Sequence, residues 1–225
     1  MIGSEFEFPP AALFSTIARC PWREQSPRVD GSLADWLDEQ TMPPLGELSG
    51  GEQFATISLS WNERGLYIAV DVQKDQAAQV VTNRDNPASG DAIELLLDTR
   101  GSRISHRASQ FCYHLVILPT PPGEAGDEPM IWQRPIRRAL QRSPQIDLNA
   151  VRLASRLRDD GYVIEAAFAP EALHGYEPAP GLRIGMAVVV HDIRRGRQFW
   201  GTSPDFPWQR DPGTWGIVEH VPPAD

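Results

Sequence analysis

Apolar and polar positions alternate with a period of two along most of the chain, the pattern expected of half-buried β-strands. Ala55, Ile57, Leu59 and Trp61 alternate with polar residues, Asn62 to Gly65 turn the chain, and Leu66, Ile68, Val70 and Val72 resume the alternation. This predicts an antiparallel hairpin over 54–74. A second hairpin is predicted where Val151–Leu157 and Tyr162–Phe168 flank Arg158, Asp159, Asp160 and Gly161. Between them, the apolar run Gly90–Asp98 predicts a central strand. Ile93, Leu95 and Leu97 share one of its faces with Asp91, and Ala92, Glu94, Leu96 and Asp98 share the other. Further strands are read at Ser109–Leu118, Met130–Trp132, Leu182–Ile193, Phe199–Trp200 and Trp215–Val218, with one helical turn at Pro170–Leu173. Ala11–Ala18 is too short for periodicity to separate strand from helix. The polar stretch Asp75–Ser89 is a loop of a length often tied to function. The pattern as a whole predicts an all-β fold, an antiparallel β-sandwich of jelly-roll or immunoglobulin-like type with roughly ten strands. Residues 1–25 read as an N-terminal lead-in, with Gly3–Phe6 resembling vector-derived residues, and 26–221 as a single domain.

Composition narrows the functional classes. A formal net charge of −9 over 225 residues argues against a general nucleic-acid binder, which needs a basic face. No apolar run approaches the roughly 20 residues of a bilayer span. Arg137 with Arg138, and Arg194 with Arg195 and Arg197, read as solvated turns, with phosphate or partner contact as the alternative. Cys20 and Cys112 are too few for a disulfide framework. The N-terminus lacks a cationic start followed by an apolar segment, so it is not a secretion signal as it stands, and localisation stays open.

The standard catalytic and nucleotide-binding signatures are absent. Glu94 with Glu165 or Asp98 is the pairing that could serve as acid and base on a glycosidic bond. The five histidines show no metal-ligand spacing, and His114 and His191 read as satisfied half-buried side chains. Asp71, Asp75, Asp85 and Asp91 gather around the long loop, where oxygen ligands suit calcium, and Asp75 is the best-placed ligand. Of seven tryptophans, Trp208 stands apart in a loop of prolines and charges with no period to bury it. An exposed indole there, with Arg210 beside it, would make a platform for a sugar ring.

The order of these features resembles the family 9 carbohydrate-binding modules found beside xylanases. The resemblance runs from Val29 to about Val218. It rests on Val29–Gly31, on Trp61, Asn62, Gly65, Leu66 and Tyr67, and on Asp91, Ile93, Glu94, Leu97 and Asp98. Asp160–Tyr162 with Ile164–Ala167 continue it, and Trp208, Arg210–Pro212, Trp215 and Gly216 close it. It implies a sandwich with structural calcium, holding a mono- or oligosaccharide, often at a chain end, in a slot between two tryptophans. Trp208 matches one wall and Glu94 an acid that bonds sugar hydroxyls, with Asp91 beside it. The family's second tryptophan falls at Ala88 and an arginine at Cys112, which leaves Trp132 as the substitute wall. The function expected is non-catalytic carbohydrate binding, without nucleic-acid or membrane partners. The alternatives are an interaction module with a degenerate sugar site and a glycoside-active enzyme.

Overall fold

The computed structural model describes residues 17–44, 52–75, 79–102, 105–123 and 128–222. The strands are β1 (Ile17–Cys20), β2 (Ala55–Asn62), β3 (Gly65–Gln73), β4 (Ala92–Asp98), β5 (Cys112–Leu118), β6 (Met130–Gln133), β7 (Val151–Arg158), β8 (Gly161–Phe168), β9 (Arg183–Asp192), β10 (Gly196–Trp200) and β11 (Gly216–His220). They form two sheets. The larger has the order β1-β11-β9-β4-β5-β6, with β10 also on β9, and the smaller has β2-β3-β8-β7. Every pair is antiparallel except β1 with β11. This is the sandwich that the alternation predicts. Ahead of position 26, β1 belongs to the larger sheet and Trp22 bridges to Trp61. Of Ala11–Ala18, Ile17 and Ala18 open β1; the rest, like Gly3–Phe6, lies outside the described residues.

Both predicted hairpins form, and each ends on a glycine that nothing else can replace. Gly65 and Gly161 have φ near +148°, and a Cβ would lie 2.1 Å from the Phe168 carbonyl oxygen and 1.9 Å from that of Val72. The core lies between the sheets, where Ile68, Val70, Ile93, Leu95, Ile164 and Val188 meet. Gln198 of β10 ties the layers together: its Oε1 accepts from the N–H groups of Phe54 and Ala55, and its Nε2 donates to the Ala55 carbonyl. A second apolar cluster covers the outer face of the larger sheet. There Leu96, Cys112, Ala187, Val189 and Phe199 meet Trp208 and Trp215. Among the described residues no helix is long and apolar enough to cross a membrane.

One buried base gives the core a pH dependence. His220 is 0% exposed, stacked on Trp61 at 4.5 Å, with Tyr176 edge-on at 5.8 Å. Burial pushes its imidazole down to about 4. The unfolded chain takes up this proton near pH 6.5 and the folded chain only near 4. Its stabilising effect is therefore full above about 6.5 and declines as pH falls toward 4, by on the order of 3 kcal/mol. Urea unfolding at pH 7 and pH 4.5 checks this. The expected result is a fall in wild-type stability that His220→Phe largely abolishes, and an equal fall in both proteins would contradict it.

Candidate functional site

Glu94 sits on the outer face of β4, opposite Val116 of β5 and Val189 of β9. Residues two positions along each neighbouring strand lie on the same face and diagonally across, within reach of long side chains. Those residues are His114 and His191. Their Nε2 atoms lie 2.5 and 2.8 Å from the two Glu94 oxygens, and Arg134 Nη1 is 3.8 Å away. Burial alone would raise the Glu94 pKa, but the hydrogen bonds and charges of His114 and His191 outweigh it and hold the carboxyl well below the usual range. An ionised carboxylate only accepts, so both Nε2 atoms carry protons.

His114 continues the chain of contacts. Trp208 meets its ring edge-on at 6.4 Å, and Phe199 meets Trp208 at 5.8 Å. The acid and the indole therefore converge on one sheet face. Both are buried, however, Glu94 at 1% and Trp208 at 4% exposure. The expectation of an exposed indole is corrected. Tight turns at Ser203–Phe206 and Pro207–Arg210 fold the loop back on itself, and Trp215 Nε1 donates to the Trp208 carbonyl at 2.8 Å. Trp208 becomes the lid of the second apolar cluster.

Beside Trp208 opens a depression of about 690 Å³. Phe206, Trp208, Gln209 and Arg210 line it from one loop, and Arg137 and Arg138 from the segment after β6. Trp132 lies opposite Val116, in the same cross-strand row as Glu94, half-buried and outside this lining. Asp91 does not join the patch.

Asp91 faces inward, as its register with Ile93 requires. So do Lys74, which continues the phase of Val70 and Val72, and Asp192, which continues that of Val188 and Val190. At this end of the sandwich Lys74 Nζ bonds Asp91 Oδ1 at 2.6 Å and Asp192 Oδ2 at 2.9 Å, and its side chain is 1% exposed. The other Asp91 oxygen accepts from the Val81 N–H. Burial alone would raise the Asp192 pKa; the N–H groups of Arg195 and Arg194 and the Lys74 ammonium bring it down to about 2. Calcium needs six to eight oxygens. Asp75 is exposed, Asp91 is occupied by Lys74, and among the described residues no group of three or more acids, histidines or cysteines is placed to hold a metal ion.

The proposed catalytic pairs are also separated. Glu165 lies on the outer face of the opposite sheet, where it accepts from the N–H groups of Asp30, Gly31 and Ser32 and from Trp36 Nε1. Stacked sheets are about 10 Å apart, and these carboxylates point away from each other. Asp98 is four residues from Glu94 along one strand, roughly 13 Å, beyond the spacing that glycosidases use. It caps the strand end by accepting from the N–H groups of Arg100 and Ser102.

The family model for carbohydrate family 9 binding domain-like proteins matches residues 34–221. The chain belongs to this family. Among solved structures, this family 9 domain is similar to a family 9 carbohydrate-binding module from Caldicellulosiruptor kristjanssonii, in complexes with cellotriose and with glucose. Each is 16% identical with a TM-score of 0.63, covers 93% of this chain, and is itself covered over 96% and 98% of its length, respectively. A putative carbohydrate-binding protein from Bacteroides uniformis is 13% identical with a TM-score of 0.50, over 91% of this chain and 98% of its own. At these identities the likeness is one of fold. No curated protein matches significantly.

In this family 9 domain, Cys112 and Ala88 stand where the family's arginine and second tryptophan were expected. Cys112 is buried in the second apolar cluster, and Ala88 lies in the 3₁₀ turn Pro87–Ser89. Sequence reasoning placed no functional role on His114, His191, Arg134 or Phe206. The two histidines were legible in hindsight, because both carry the outward phase of strands that border Glu94. Phe206 and the Arg137–Arg138 pair were not, since only tertiary folding brings their loops together.

Proposed function

We propose that this chain binds carbohydrate without catalysing a reaction on it, in the depression beside Trp208. The observation that carries the reading is an aromatic-edged hollow of about 690 Å³ on the sheet face that holds Glu94, in a chain of this family. Its size falls within the usual 300–1,000 Å³ of small-ligand sites. Phe206 offers apolar surface for a sugar ring, and Arg210 and Gln209 offer donors for its oxygens. Glu94 acts here as a positioning residue, since both of its oxygens are engaged by histidines and His114 in turn braces Trp208. Trp132, half-buried on the same face, is the flanking aromatic for a longer saccharide. The glucose and cellotriose bound by the Caldicellulosiruptor module are the natural first probes.

Calorimetric titration tests this. Saturable binding is expected, weakened about tenfold or more by Phe206→Ala, an aromatic whose removal leaves the packed cluster untouched. Unchanged binding in that variant would rule out the depression. A second reading, an interaction module with a degenerate sugar site, is favoured by the burial of Trp208 and Glu94. A glycan array without a single binder would select it.

A further inference from the structure

The lining of the depression has an unusual chemistry for a neutral sugar. Hydroxyl groups both donate and accept, so neutral-sugar sites need acceptors as well as donors. Here the polar side chains are three arginines and one glutamine, with no carboxylate among them. The acids of the adjoining loop turn elsewhere: Asp211 accepts from the Gly213 N–H and meets His106, and Asp205 bonds Ser203. Among the described residues, Arg137, Arg138 and Arg210 have no carboxylate within 4.0 Å, unlike Arg28, Arg158, Arg183 and Arg195. Three unneutralised guanidinium groups around one hollow repel one another unless an anion enters.

The backbone points the same way. Arg138 is the one non-glycine among the described residues with a positive φ, at 60°. That conformation costs roughly 1–2 kcal/mol for a residue with a Cβ. It is held by Arg107, whose Nε donates to the Arg138 carbonyl at 2.9 Å, and by the Leu140 N–H on the Ala108 carbonyl. Strain maintained at the rim of a pocket is a common mark of a binding site.

We propose that the ligand is an acidic saccharide, its carboxylate held by Arg137, Arg138 and Arg210 while its ring rests on Phe206. This rests on the carbohydrate reading above and narrows its substrate class. Guanidinium groups match a carboxylate in bidentate geometry, each such bond being about twice as strong as a neutral one. The whole chain carries a net charge of −9, which disfavours a long polyanion beyond the Debye length of about 8 Å. The fit is to a saccharide with one or few uronates.

Titration calorimetry with cellobiouronic acid, its methyl ester and cellobiose separates the terms, since the three share one scaffold. The acid is expected to bind at least tenfold more tightly than the other two, with a preference that shrinks as salt rises. Arg137→Gln and Arg210→Gln should each remove about tenfold, and so should Arg138→Asn, which keeps a residue tolerant of positive φ. Unchanged melting temperatures would confirm that these exposed residues report on binding alone. Equal binding of acid, ester and cellobiose would overturn the acidic preference and leave the carbohydrate reading intact. Displacement of the acid by acetate at equal concentration would overturn it as well, showing an anion site indifferent to the sugar ring. Absence of binding by all three compounds would overturn this proposal, and the glycan array then decides the fate of the broader reading.

Discussion

Lys74→Met is expected to cost about 3–5 kcal/mol. The ammonium lies between Asp91 and Asp192 inside the sandwich, and all three side chains carry the inward phase of their strands. Removing the cation leaves two carboxylates facing each other away from water. One remaining cation is near: Arg195, whose Nη2 is 3.5 Å from Asp192, with its guanidinium over the Phe54 ring. It lies too far to bond Asp91 directly. Methionine matches the lysine stem in length, so the loss reports charge rather than a cavity. Urea titration at pH 7 measures the cost, and the double variant Lys74→Met with Asp91→Asn should recover part of it, because the neutral amide no longer needs a counter-charge. A single variant as stable as the wild type would mean that water reaches the triad. The same experiment bears on calcium. If the lysine alone balances the two carboxylates, calcium and chelator alike leave the wild-type melting temperature unchanged. A calcium-dependent rise that Asp75→Asn abolishes would instead show a calcium site that includes Asp75.

The triad also shows what the sequence made readable. Period-two alternation specifies which residues face inward, so Asp91 with Ile93, Leu95 and Leu97 could be read as an interior acid, and the phase of Lys74 and Asp192 contains its partners. The alternation likewise gave both hairpins and the central strand, because each side chain's face follows from strand geometry alone. Trp208 was beyond this reasoning. Its burial depends on two loop turns and on Trp215 donating to its carbonyl, none of which leaves a period in the chain. The depression was hidden for the same reason: the Arg137–Arg138 pair and the Phe206–Arg210 segment are far apart in sequence, and adjacency across loops is set by the sheet between them.

Glu94→Gln is expected to destabilise the fold by about 3 kcal/mol and to weaken saccharide binding with it. The amide can accept from one histidine, but its NH₂ group meets the second Nε2–H donor to donor. One buried imidazole must then change tautomer or lose its partner. His114 loosens, and Trp208, which rests edge-on against it, loses its brace. The pH dependence follows from the same geometry. Because the folded carboxyl titrates well below its ordinary value, the stability it contributes is present above about pH 4.5 and is lost as pH falls further. That window lies below the one set by His220, so the two groups can be told apart. Urea midpoints at pH 7 and pH 3 should converge in Glu94→Gln relative to wild type. Calorimetry on the same proteins then separates the two roles open to this acid. A group that acts through His114 and Trp208 lowers stability and affinity together, and His114→Phe, which keeps a ring against the indole, restores part of the affinity in the Glu94→Gln background. Loss of affinity at wild-type stability would instead make Glu94 a direct ligand of the sugar hydroxyls, which requires the loop that carries Trp208 to lift from the sheet on binding.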